Sequence, residues 1–412
     1  MRSNLVALGL GMLVALTLGE LVVRFAAHRN PWVAYLATAS ARSSRRRFSS
    51  LEEYLASRAA VVVSHRNWFN YWTNALGMND EEFLVPKPAG RFRIMAVGDS
   101  FTYGLVPYPD AVMTVVKSLL HRDCRGKDLD LLNFGVAGAV VSEYRTLVTL
   151  GLPTYDPDLV VVHFFTGKDG PDGFRQSRYR PRLSELPSYS YLWTLATRIV
   201  TLERGVDRHM RGVWPEGATT SVPRGGTIVD PTVHIREDDP ALVGPYFTED
   251  AFTAVQAGAL RQLYVPPQAE RLDEAWSLVY ADLDAMREPV AARGRRIALV
   301  VYPSELQVDP RKRDALIATL RQQPPYATLS SDDIDPQLPN RRLASYCQSR
   351  GLPCFDVTPA IVAARQSSDE PLYKTRDTHW TIRGNRVAAE AEAAYLTGLV
   401  CPSAENGEGT HR

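Results

Sequence analysis

Hydrophobic positions along the chain fall into two regimes. The first is a continuous run from Leu5 to Val23, LVALGLGMLVALTLGELVV, in which Glu20 is the only charge. Such a run is long enough to cross a hydrocarbon core as a single helix. The second regime begins at Arg91, where short apolar runs alternate with stretches of helical spacing. Phe92–Val97, Leu129–Phe134, Leu159–Phe165, Arg296–Tyr302 and a run within Leu352–Val357 predict strands. Leu159–Phe165 (LVVVHFF) is the strongest, almost wholly apolar and suited to burial on both faces. Ala111–Leu120, Pro266–Arg293, Arg341–Arg350 (closed by Gly351) and Gly384–Leu396 predict helices. The alternation predicts an α/β fold, a parallel sheet with helices on both faces.

These patterns divide the chain into a membrane helix over 1–27, a lead-in over 28–90, an α/β domain over 91–400 and a polar, disordered tail over 401–412. The rhythm breaks at 170–262, which is rich in Pro, Gly and Arg and holds one expected helix, Tyr191–Glu203. This stretch reads as an insertion able to cover the active edge of the sheet. Phe25-Ala26-Ala27 is a poor cleavage site, which favours an uncleaved single-pass anchor over a cleaved signal peptide. Arg2 precedes the span while Arg24, Arg29 and Arg45-Arg46-Arg47 follow it. Charge bias alone would therefore place the rest of the chain in the cytoplasm.

Composition narrows the function. The chain has 412 residues, 45% hydrophobic, room for a large core. Its 47 basic and 46 acidic residues nearly cancel, so no global field favours nucleic acid as a partner. The Arg45–Arg47 cluster reads as a solvated or lipid-headgroup-facing segment. Cys124, Cys347, Cys354 and Cys401 form no CxxC pair and have no His at zinc spacing, so no metal is implied. A Cys347–Cys354 disulfide and two buried free thiols are both open.

Candidate chemistry sits at loop positions. Ser100 ends the run Ile94-Met95-Ala96-Val97-Gly98-Asp99-Ser100, where a strand's carboxyl end would expose it to a cleft. A serine hydroxyl needs a base within hydrogen-bond reach. Histidine is the side chain suited to that role, and in Asp377-Thr378-His379-Trp380 the Asp377 carboxylate can fix the tautomer of His379. Gly138, in Asn133-Phe134-Gly135-Val136-Ala137-Gly138 after a strand, could aim its N–H at an oxyanion. His163 reads as a core or cleft-wall residue, and His121, His209 and Asp207 are too isolated to form a site.

Together these blocks resemble the SGNH (GDSL-like) hydrolase family, and in particular its bacterial membrane-tethered members. The likeness runs from about Asn74 to Leu396. It rests on Thr73-Asn74-Ala75-Leu76-Gly77, Gly98-Asp99-Ser100-Phe101-Thr102-Tyr103-Gly104, Asn133–Gly138, Pro157-Asp158-Leu159-Val160-Val161 and Asp377-Thr378-His379-Trp380. The Asp-x-His-Trp ending is also similar to that of alginate-type O-acetyltransferase relatives. The resemblance implies a three-layer α/β/α, flavodoxin-like fold and a triad of Ser100, His379 and Asp377. It implies an oxyanion hole from the Ser100 and Gly138 N–H groups and an Asn side chain. Where that Asn should follow Gly167, this chain has Lys168, either a donor to the oxyanion or a structural side chain paired with Asp169 or Asp172. The implied activity is a serine esterase or deacylase acting on an O-acyl group, acetyl among them, of a cell-envelope glycan or lipid, with no cofactor. The alternatives are a polysaccharide O-acetyltransferase and a non-catalytic envelope protein of the same fold. Tethered members usually hold this domain outside the cytosol, against the charge bias. Oligomeric state is not addressed by these residues.

Overall fold

Alternate residues of each strand face opposite layers, and this sorts the core. The computed structural model describes residues 2–29, 50–52, 54–55, 74, 76–170, 190–193, 195–196, 247–265, 270–324 and 326–401. Strands β1 (Phe92–Gly98), β2 (Leu129–Gly135), β3 (Leu159–Phe165), β4 (Arg296–Tyr302) and β5 (Cys354–Asp356) pair in parallel throughout. Their order is β2-β1-β3-β4-β5, the flavodoxin-like arrangement.

One face carries Ile94, Ala96, Leu129, Leu131, Leu159, Val161, Ala298 and Val300. It packs on Val112, Val116 and Leu120 of α3 (Val112–Asp123) and on Ala388, Ala389, Ala393 and Leu396 of α11 (Ile382–Val400). The other face meets α4 (Val141–Tyr155) and α6 (Glu270–Ala291). Phe164 stacks on Trp276 at 5.6 Å, and Phe134 meets the edge of Tyr155 at 4.9 Å. Helix α4 comes close because Gly151 has no Cβ; one would lie 2.6 Å from Met95 Cε. The result is the expected three-layer α/β/α sandwich.

A satellite core joins α5 (Glu249–Leu260), α7 (Glu305–Val308) and α8 (Pro310–Leu320) through Leu260, Leu306, Leu316, Ile317 and Leu320. Helix α5 lies inside the 170–262 stretch and is absent from the sequence reading. Thr248 caps its amino end, with Glu249 and Asp250 in the first turn. Of the helix expected over Tyr191–Glu203, Tyr191–Trp193 is helical and residues 197–203 lie outside the described residues. Helices α9 (Leu338–Arg350) and α10 (Thr358–Ser367) complete this part of the chain, α9 ending on Gly351 in the left-handed conformation.

The chain divides into two units, residues 1–64 with 179–220, and residues 65–178 with 221–412. The sheet belongs to the second. The first holds α1 (Arg2–Arg29), whose stretch Ala7–Ala26 is long and apolar enough for a membrane span or a signal sequence.

Cys124 and Cys401, at the carboxyl ends of α3 and α11, form a disulfide with Cα atoms 5.8 Å apart and 277 residues between them in sequence. Cys347 and Cys354 are free thiols, so the Cys347–Cys354 bridge is not formed. Because the Cys124–Cys401 bridge closes so long a loop, Cys401→Ser should destabilise the domain by about 3–5 kcal/mol. The check is a lower urea midpoint at an unchanged slope.

Candidate active site

The carboxyl ends of β1 and β3 flank the point where strand order reverses, the usual place for a ligand crevice in such sheets. Gly98 ends β1 because nothing larger fits; a Cβ there would lie 2.0 Å from Thr102 Oγ1. Asp99 follows, and its Oδ1 accepts from the Phe101 N–H at 2.9 Å, capping α2 (Ser100–Tyr103). Ser100 is thus the first residue of a short helix, and it is 8% exposed.

The lead-in segment braces that helix. Asn79 Nδ2 donates to the Tyr103 and Gly104 carbonyls, both at 3.0 Å. Asn133 Nδ2 donates to the Asn79 carbonyl at 3.2 Å, and Asp80 Oδ2 accepts from the Asn133 N–H at 2.9 Å. Burial pushes the Asp80 carboxyl up to about 6, against the opposing charge of Lys117.

The second contribution is a hairpin before α11. Tyr373 and Trp380 bridge antiparallel, and the Lys374 N–H donates to the His379 carbonyl at 2.9 Å. Arg376 turns the tip with φ 47°. His379 Nε2 lies 2.6 Å from Ser100 Oγ, and His379 Nδ1 lies 2.6 Å from Asp377 Oδ1. With Nδ1–H donated to the carboxylate, Nε2 is left to accept the Ser100 proton. Asp377 is 3% exposed. Burial acts to raise its pKa, but the charge and N–H of His379, joined by Lys374, outweigh burial and hold it below the ordinary carboxylate range. Phe101 lies under the imidazole at 5.3 Å, stacked on Phe165 and edged by Trp380.

Lys374 was not singled out in the sequence. It is 1% exposed, and its Nζ donates to the Leu105 carbonyl at 2.5 Å, joining the His379 hairpin to the Ser100 segment. Burial pushes its ammonium down to about 8, opposed by the Asp377 charge. The unfolded chain binds this proton more tightly than the folded one. The buried charge therefore destabilises fully below pH 8, by roughly 3 kcal/mol, and that penalty is relieved as pH rises toward 10.5. Lys374→Met should accordingly not lower stability at pH 7 in urea denaturation.

Gly138 sits in the turn after β2 with φ 73°, a left-handed conformation that favours glycine, and is exposed. Lys168 follows β3. Its Nζ lies 3.0 Å from Asp99 Oδ2, bonds the Ala139 carbonyl and is 4.0 Å from Asp169 Oδ1. One side chain thus joins the loops after β1, β2 and β3. Asp169 is itself engaged by the Phe165 N–H at 2.9 Å and the Tyr144 hydroxyl at 3.1 Å; Asp172 lies outside the described residues.

His163 is in the core, its Nε2 2.8 Å from Glu392 Oε1, with Tyr302 donating to Glu392 Oε2 at 2.6 Å. His121 lies against the Leu129 carbonyl at 3.1 Å. His209 and Asp207 lie outside the described residues. Among the described residues, no cluster of His, Cys, Asp or Glu could hold a metal.

A parallel sheet between helical layers, with these loops at its carboxyl edge, is a flavodoxin-like α/β/α architecture. More particularly, residues 263–410 match the family model of the SGNH hydrolase-like domain of the acetyltransferase AlgX. That match bears out the SGNH resemblance and the likeness of the Asp-x-His-Trp ending to alginate-type O-acetyltransferase relatives. It covers Asp377 and His379 and stops short of Ser100. No curated protein matches the chain. Among solved structures, LAE5, an alpha/beta hydrolase enzyme from the metagenome of Lake Arreo, Spain, is 14% identical with a TM-score of 0.36, covering 75% of this chain and 96% of that one. A second is 13% identical with a TM-score of 0.31, covering 75% and 99%.

Proposed function

We propose that the protein is a serine acyl-ester hydrolase, with Ser100 as nucleophile, His379 as base and Asp377 orienting the imidazole. The observation that carries this reading is the unbroken relay from Ser100 Oγ through His379 to Asp377, both links 2.6 Å. His379 Nε2 takes the Ser100 proton as Oγ attacks the ester carbonyl. The tetrahedral oxyanion is met by the Ser100 and Gly138 N–H groups. Lys168, tethered by Asp99 and Ala139, adds its positive charge to that hole and holds the Gly138 turn in place. An oxyanion donor contributes about 100- to 1000-fold in rate. His379 then passes its proton to the leaving alcohol, and water cleaves the acyl-serine. The substrate class is an O-acylated envelope glycan or lipid, with acetyl as the acyl group to test first.

A second reading, acyl transfer to a sugar hydroxyl, is raised by the match of residues 263–410 to an SGNH hydrolase-like domain of an acetyltransferase. The two readings differ only in what resolves the acyl-serine. Incubation with an acetyl donor, with and without an acceptor oligosaccharide, separates them by mass spectrometry. Acetate as the sole product in both arms supports hydrolysis; O-acetylated oligosaccharide overturns it in favour of transfer.

The same proposal places the chain as an uncleaved single-pass membrane protein with this domain outside the cytosol. The Cys124–Cys401 disulfide supports an oxidising compartment. Protease added to intact cells should degrade the domain; a surviving domain would place it in the cytoplasm.

A further inference from the structure

The one acid of the apolar N-terminal helix is met by groups from 170 residues further along the chain. Glu20 Oε2 accepts from the Ser190 hydroxyl at 2.7 Å and the Leu192 N–H at 3.0 Å. Its Oε1 accepts from the Tyr191 N–H at 3.0 Å and Arg24 Nε at 2.7 Å. The Arg24 guanidinium lies 4.4 Å from the Tyr191 ring centre. Leu192 fills the notch left by Gly19, where a Cβ would sit 2.9 Å from Leu192 Cδ2.

Burial along α1 follows these contacts. Residues 7–18 are exposed all round, whereas Gly19, Glu20, Val23 and Ala26 are sheltered. Those four positions form one helical stripe. The apolar stretch Ala7–Ala26 has 20 residues. At 1.5 Å per residue it is about 30 Å long, the thickness of a hydrocarbon core. A span that crosses therefore takes Glu20 below the surface, about 9 Å from its Ala26 end. A carboxylate at that depth must be paired or hydrogen-bonded, and Ser190, Tyr191 and Leu192 supply those bonds.

We infer that the segment beginning at Ser190 enters the bilayer beside α1, so that the chain contacts lipid through two elements. Its composition fits the headgroup–acyl boundary: Tyr191, Leu192, Trp193, Leu195 and Ala196 are apolar or amphipathic. Trp193 is 55% exposed, and an indole suits that boundary. The inference rests on the uncleaved-anchor reading.

The test uses the full chain in phosphatidylcholine vesicles. Trp193→Cys, in a Cys347→Ser/Cys354→Ser background, carries an environment-sensitive fluorophore, and Arg122→Cys carries the same dye as an aqueous reference. Expected are blue-shifted emission at position 193 and quenching at least about twofold greater than at 122 when the lipid chains are brominated near the headgroup. Equal emission and quenching at the two positions would overturn the inference. Intact mass of the same sample separates the causes. A retained N-terminus with a water-exposed position 193 removes only the lipid contact, whereas a chain cleaved beyond α1 removes the anchor reading as well.

Discussion

Ser100→Ala and His379→Ala should each cut turnover of an aryl acetate by about 10⁴- to 10⁶-fold. In the proposed mechanism Ser100 Oγ bonds to the acyl group, and the hydroxyl is unreactive until Nε2, 2.6 Å away, takes its proton. Removing either member breaks one relay, so the double variant should be little worse than each single one. The residual rate reflects binding and the oxyanion donors alone. Ser100→Ala opens no large cavity, so its urea midpoint should stay close to wild type, whereas His379→Ala strips the buried Asp377 carboxylate of its nearest partner and should lower the midpoint. A variant that keeps wild-type turnover removes its residue from the mechanism.

Asp377→Asn should lower kcat by about 10⁴-fold while leaving KM nearly unchanged. The carboxylate accepts the Nδ1 proton at 2.6 Å. An asparagine amide turned toward Nδ1 would donate instead, moving the imidazole proton to Nε2 and aiming an N–H at Ser100. The base would then be occupied before substrate arrives. The same change has a stability signature. Asp377 has a depressed pKa in the fold, so its contribution is present above the ordinary carboxylate range and is lost as pH falls through the folded value. Asp377→Asn should flatten that acid limb in urea titrations at stepped pH.

The strands were legible because burial on both faces demands nearly continuous apolar runs; β3 and β4 begin and end where the runs do. Helices α4, α8 and α10 were not. Helix α4 contains Gly151 and Pro153, which read as loop until Gly151 is seen against Met95. Helices α8 and α10 are short and weakly patterned, although Asp309-Pro310 and Thr358-Pro359 carry start signals, with proline in the first turn. Ser100, Asp377 and His379 stood out because their chemistry depends on residue type at loop positions. Lys374 and Asn79 did not, since their roles arise from contacts with Leu105, Tyr103 and Gly104 that exist only after folding. The pairing of Lys168 with Asp99, 69 residues earlier, and the Cys124–Cys401 bridge were hidden for the same reason.

Reaction with a fluorophosphonate, followed by peptide mapping, tests the nucleophile most directly. Ser100 should carry the adduct in the native chain, and His379→Ala should abolish labelling. An adduct on a different serine, or none on a folded protein, would contradict the hydrolase reading.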